Sequence, residues 1–163
     1  RSSAREIAVH IIFALGFDPR SAQDVLNAEL TRARFQELAE ELPLYEQFPN
    51  EKQERYIREL VQGVFAHGPE LDDCISRYSV GWAFARIPRM AAAVMRTAMY
   101  EVLYMPDIPN AAAINEAIEI AKKYEPAEVV SFVNGILGTF VRTELEDAPP
   151  KPEKKTAESG AEE

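Results

Sequence analysis

The segment AINEAIEIAKKYEPAEVVSFVNGILGTFVR, residues 113 to 142, decides how the chain is read. Apolar side chains at Ile114, Ala117, Ile118 and Ala121, then at Val129, Val133, Ile136, Leu137 and Phe140, recur at the three-and-four spacing of a helix face. The spacing predicts two amphipathic core helices hinged at Tyr124-Glu125-Pro126. Each carries residues that work against it: Asn115-Glu116 in the first, Asn134-Gly135 in the second. Asparagine competes with the backbone for hydrogen bonds, and glycine costs roughly 1 kcal/mol against alanine inside a helix. The expectation is structural. Gly135 would let a neighbouring helix approach, and Asn115 and Asn134 would satisfy polar groups buried between helices.

Outward from this segment, helix signals follow one another along the chain. Ser3 with Glu6 is a capping-box pattern that predicts a helix from about residue 4, burying Ile7, Ile11, Ala14 and Leu15 and ending at Gly16. Ser21 with Asp24 starts a second, whose Leu26, Leu30, Ala33, Leu38 and Leu42 form one stripe before Pro43 stops it. Tyr45 and Phe48 in the following loop are expected to pin it to the body. Asn50 with Gln53 opens a third helix with Tyr56, Ile57, Leu60, Val61, Val64 and Phe65 inside. His67-Gly68-Pro69 ends that helix and starts a fourth, which buries Leu71, Ile75 and Tyr78. After an irregular connection holding Trp82, Phe84 and Ile87, Pro88 leads a fifth helix that is apolar on most of its circumference. Such a helix belongs at the centre of a bundle, so Arg96 and Glu101 within it need partners. For Arg96 a carboxylate such as Glu116 is expected.

Length and composition fit a cytoplasmic helical domain. A chain of 163 residues reaches the size at which roughly two thirds of the unfolded surface is hidden without disulfides or metals. Cys74 is the only cysteine, which excludes an intramolecular disulfide and any multi-cysteine zinc site. No apolar run is long enough to span a bilayer, so no membrane partner is expected. His67 and Cys74, with Asp72 or Asp73, could be read as a thiol nucleophile and its base. A Gly-Pro turn separates the pair and nothing supplies an oxyanion hole, so Cys74 is read as a small buried hydrophobe. There is no glycine-rich phosphate loop, no metal-ligand cluster and no pattern that specifies a reaction or a cofactor.

The formal charge of −9 argues against nucleic acid, but its distribution softens the argument. Residues 143 to 163 carry seven acids and three lysines, leaving 15 basic and 20 acidic side chains in residues 1 to 142. Beyond Arg142 the composition turns to Pro, Glu, Lys, Ala and Ser. Residues 143 to 163 are therefore expected to be an acidic C-terminal tail, disordered from about 146, behind a helical domain of residues 1 to 142. At the front, Arg1 and Arg5, with His10 and Phe13 further along, make a small basic and aromatic surface or an ordinary solvated first turn. The residues alone stop at a helical domain of six or seven helices.

A resemblance goes further. AINEAIEIAKKY followed by FVNGILGTFVR, preceded by VMRTAMYEVL and a D-I-P turn at 107 to 109, resembles the NusB family of bacterial transcription antitermination factors. AREIAVHIIFAL and YIRELVQGVFAH extend the likeness to residues 3 to 142, weakly between 18 and 52. It implies an all-α fold of about seven helices in two packed helical bundles. It also implies an RNA-binding protein that recognises boxA RNA of nascent ribosomal RNA transcripts together with ribosomal protein NusE, within an RNA polymerase antitermination complex. Matched by position, Arg1, Arg5, His10, Phe13, Tyr124 and Phe132 fall on the implied RNA surface, and Glu128 on a position that modulates RNA or partner binding; Lys122, with Lys123, is expected to add charge for RNA binding. Where similar proteins carry consecutive arginines this chain has Arg1-Ser2-Ser3-Ala4-Arg5, so RNA binding without NusE is expected to be weak. The same fold precedes a catalytic domain in certain ribosomal RNA methyltransferases, which this chain resembles less, so no enzyme is expected. The alternative is a protein-interaction module or homodimer with little RNA binding of its own.

Overall fold

The computed structural model describes residues 1–16 and 20–145, which form eight α-helices and two short 3-10 turns, with no strand among the described residues. They divide into two compact units, one of Arg1–Ala66 and one beginning at His67. The all-α expectation holds.

In the first unit α1 (Ser2–Leu15) packs chiefly on α4 (Glu51–Ala66), with α2 (Ala22–Glu29) against both. Ile7, Ala8 and Ile11 of α1 are buried, as are Leu26 of α2 and Ile57, Leu60 and Val61 of α4. Each such aliphatic side chain contributes about 1.5–3 kcal/mol when withdrawn from water. The start of α4 is the capping box read from the sequence. Asn50 N–H donates to Gln53 Oε1 and Gln53 N–H to Asn50 Oδ1, both at 2.9 Å. The one read at Ser3 and Glu6 does not form. Helix α1 begins at Ser2 behind Arg1 with no side-chain cap, and Glu6 is buried.

The predicted second helix is two. Leu30 leaves the helical region at φ −91°, ψ 59°, and Thr31 caps a new helix, α3 (Arg32–Ala39), its Oγ1 accepting from Arg34 N–H at 3.1 Å. The restart shifts the register, so Phe35 is the buried residue of α3, Ala33 is exposed and Leu42 lies beyond its end. Phe35 then receives Tyr45 and Phe48 edge-on, each with centroids 5.0 Å away, and the loop through the 3-10 turn Pro43–Tyr45 is pinned as expected. Phe65 points outward, 55% exposed, rather than into the core.

In the second unit α6 (Arg89–Tyr104) is central, touching α5 (Gly68–Tyr78), α7 (Asn110–Tyr124) and α8 (Ala127–Glu144). Its Ala91, Ala92 and Ala93 are buried and small enough for close helix approach. Arg96 pairs with Asp72 of α5, Nε to Oδ1 at 2.6 Å, and not with Glu116. Glu101 is fully buried and is not left without a partner. Cys74, in α5, is buried, and burial pushes its thiol pKa up.

The expected roles of Asn115, Asn134 and Gly135 fail. The buried face of α7 is Ala113, Ala117, Ile120 and Ala121, and that of α8 is Val129, Val133, Ile136, Leu137 and Phe140. At about 100° per residue, Asn115 and Gly135 each lie two positions, about 200°, from a buried residue of their helix. Asn115, Asn134 and Gly135 are exposed, and a Cβ on Gly135 would meet nothing within 4 Å. Helix α8 continues past Arg142 to Glu144, whose carboxylate accepts from Arg77 and from the Tyr78 hydroxyl, both at 2.7 Å. The expected tail lies outside the described residues from 146 onward.

Candidate nucleic-acid interface

The sequence-predicted residues divide between the two units, and those of the first unit do not form one group. In the first, Arg1, just before α1, and Arg5, in its first turn, share a ring. Their guanidinium carbons lie 5.2 and 5.8 Å from the centroid of Tyr56 on α4. Cations at that distance over an aromatic face are held by the ring quadrupole. Arg5 is only 3% exposed, whereas Arg1 is half-buried. His10 lies five residues beyond Arg5, about 140° round the helix. It is held by a different group, its Nδ1 2.7 Å from the Tyr45 hydroxyl and its ring 5.8 Å from that of Tyr45. Phe13 is half-buried further along α1. The structure therefore brings Arg1 and Arg5 together and assigns His10 to the cluster of Tyr45, Phe35 and Phe48.

In the second unit the site builds around the break between α7 and α8. Pro126 stops one helix and precedes the next, Glu125 being extended at φ −127°, ψ 151°. Lys122 and Lys123 occupy the last turn of α7 and Glu128 the first turn of α8, each sign at the helix end whose dipole favours it. Lys122 is exposed and pairs with Glu119 at 3.0 Å. Tyr124 is 36% exposed and Glu128 is exposed. Phe132, one turn after Glu128, is half-buried and stacks on Trp82 with centroids 4.5 Å apart and planes 26° from parallel. On another face of the hinge, which does not include Phe132, a groove of about 530 Å³ is lined by Ile118, Lys122, Glu125, Ala127, Val130, Ser131 and Asn134. Burial pushes the Glu125 carboxyl up, opposed by a hydrogen bond from the Ala91 backbone.

One member of the Phe132 surface was missed by sequence reasoning, whereas Asn134, which lines the groove, lies about 200° round α8 from Phe132 and belongs to another face. Trp82 lies fifty residues from Phe132, and no local pattern announces the pairing. The discounted thiol reading finds every partner engaged elsewhere. His67 Nδ1 is 3.0 Å from Glu70, Asp72 takes Arg96 and Asp73 takes Arg77. No group of three or more His, Cys, Asp or Glu residues that could hold a metal occurs among the described residues. None of the helices is long and apolar enough to cross a membrane.

Two helical units, with cations and aromatic rings in each, make an all-α protein. NusB of T. maritima superposes with a TM-score of 0.66 at 29% identity over 87% of this chain and 90% of that one. The antitermination factors NusB and NusE solved in complex with dsRNA include a chain that matches at a TM-score of 0.68 and 19% identity, covering 87% and 96%. At that identity the likeness concerns the fold. The transcription antitermination protein NusB of Acetivibrio thermocellus is 38% identical over 149 residues, 91% of this chain and 92% of the relative. The NusB family profile matches residues 2–142. The chain belongs to the NusB family.

Proposed function

We propose that this chain is a non-enzymatic transcription antitermination factor of the bacterial cytoplasm. Together with ribosomal protein NusE it binds boxA RNA of nascent ribosomal RNA transcripts and helps RNA polymerase resist termination. The observation that carries the reading is the match to antitermination proteins along nearly the whole chain, at 38% identity. Residues 1 to 142 form the RNA-binding domain, followed by the acidic segment 143 to 163. Arg1, His10 and Phe13 contribute from the first unit, where Arg5, buried over Tyr56, supports the start of α1 from beneath, and Lys122, Tyr124 and Phe132 contribute from the second. Glu128, exposed between Tyr124 and Phe132, tunes the affinity by repelling phosphate.

The chemistry of these groups supports the assignment. Single-stranded RNA is held by cations on phosphates and by bases stacked on aromatic rings. With Arg5 buried over Tyr56, fewer of the expected cations are left to release counterions, so RNA binding by the chain alone is weak and NusE supplies much of the contact. Titration of labelled boxA RNA, with and without NusE, tests this. NusE should raise the affinity at least about tenfold, roughly one good contact. Tight binding of RNA by the chain alone with a steep salt slope overturns the division of labour. The absence of any enhancement by NusE favours a protein-interaction or homodimer module instead.

A further inference from the structure

Trp82 is the only tryptophan of the chain, and it lies outside every helix core. Gly81, at φ +85°, is the one positive-φ residue among those described, and the Ser79 hydroxyl donates to the Trp82 carbonyl at 2.9 Å. The backbone leading into Trp82 is therefore fixed by a conformation that suits glycine and by a side-chain bond. Two residues on, the 3-10 turn Phe84–Arg86 leads to Pro88 and α6. The bend delivers one large flat ring against Phe132 of α8, and neither ring is fully buried. This differs from the other ring pair on α8, Tyr78 with Phe140, which meets at 65° with Phe140 wholly buried. The latter pair fills core, whereas the former sits at the surface.

We propose that Trp82 is a positioning residue for RNA. By stacking on one face of Phe132 it holds that ring in a single orientation, so that the remaining ring surface meets a base without first being ordered. The inference rests on the proposed function, specifically on Phe132 as an RNA contact. A half-exposed phenylalanine on a helix surface otherwise samples several rotamers, and ordering it on binding costs affinity. Pre-paying that cost on a rigid partner is the advantage of an aromatic anchor that is already stacked.

The test uses the full chain with NusE and labelled boxA RNA. Trp82→Leu keeps apolar bulk but removes the flat face, and it should weaken RNA binding roughly three- to tenfold. Trp82→Phe should restore wild-type affinity, helix content by circular dichroism should be unchanged in both, and NusE affinity measured without RNA should stay the same. If Trp82→Leu does not fold, Trp82→Met takes its place. In the free chain, where Trp82 is the sole indole emitter, Phe132→Leu should shift the emission. An unshifted emission overturns the stack. Wild-type RNA affinity for Trp82→Leu alongside weakened binding for Phe132→Leu overturns the inference alone. If both variants bind as wild type, Phe132 is not an RNA contact, and the site reading falls with it. An effect of Trp82→Leu on NusE affinity only assigns the ring pair to protein contact and also overturns the inference.

Discussion

The start of α1 and the hinge between α7 and α8 hold similar ingredients, cations next to aromatic rings, and use them in opposite ways. On α1 the ring lies beneath: Tyr56 is buried and carries both Arg1 and Arg5, and Arg5, itself buried, is committed to holding helix against helix. At the hinge Tyr124 faces outward, Phe132 is half-exposed, and Lys122 and Lys123 extend into solvent. Cations and rings that look alike in the sequence thus divide into an anchoring set and a presenting set. Burial, which the residue types alone do not reveal, makes the division.

The difference can be broken most forcefully at Tyr56. Tyr56→Ala removes the ring under both arginines and leaves a cavity, and it should cost about 3 kcal/mol of stability by urea unfolding. A loss below about 1 kcal/mol would return Arg1 and Arg5 to the solvated first turn. Phe132→Ala reverses the balance. It should weaken the RNA complex with NusE about tenfold, as loss of one base stack does, while leaving helix content unchanged. A collapse of helicity would make Phe132 core.

Smaller effects sharpen the picture. Gly135→Ala lies on the exposed side of α8 with open space around it, so it should stabilise the chain by about 0.5–1 kcal/mol. A destabilised variant would mean that a neighbour occupies that face. The smallest effect is expected for Glu125→Gln. Burial raises the folded pKa of Glu125 above its ordinary 4.5, so protonation favours the folded state. Its contribution is complete below 4.5 and lost as pH rises through the raised folded value. Glu125→Gln should therefore unfold at slightly higher denaturant than wild type at neutral pH, and the difference should vanish in acid. A difference that grows in acid contradicts the sign.

Much of the fold was legible because its signals are local. The Asn50 and Gln53 capping box, Pro69 in the first turn of α5 and Pro88 before α6 each act through their own backbone, and each is found where the sequence put it. The break between α2 and α3 was missed because Leu30 continues an apolar stripe while Thr31, one residue later, outcompetes it as a cap. Assigning Asn115, Asn134 and Gly135 to an interior failed for a different reason. A periodic stripe identifies an apolar face, but which residues beside it are covered depends on what packs there. For the candidate surface the sequence identified Tyr124 and Phe132 only through family resemblance. It could not pair Phe132 with Trp82, because stacking across fifty residues leaves no periodic trace.

Cys74 has a practical consequence. The chain's only thiol is closed inside the unit formed by α5, α6 and α8, and burial keeps it protonated at neutral pH. An alkylating reagent reaches a thiolate only when such a site opens. The rate at which Cys74 is modified in the native protein is thus a clock for how often α5 lifts away from its neighbours.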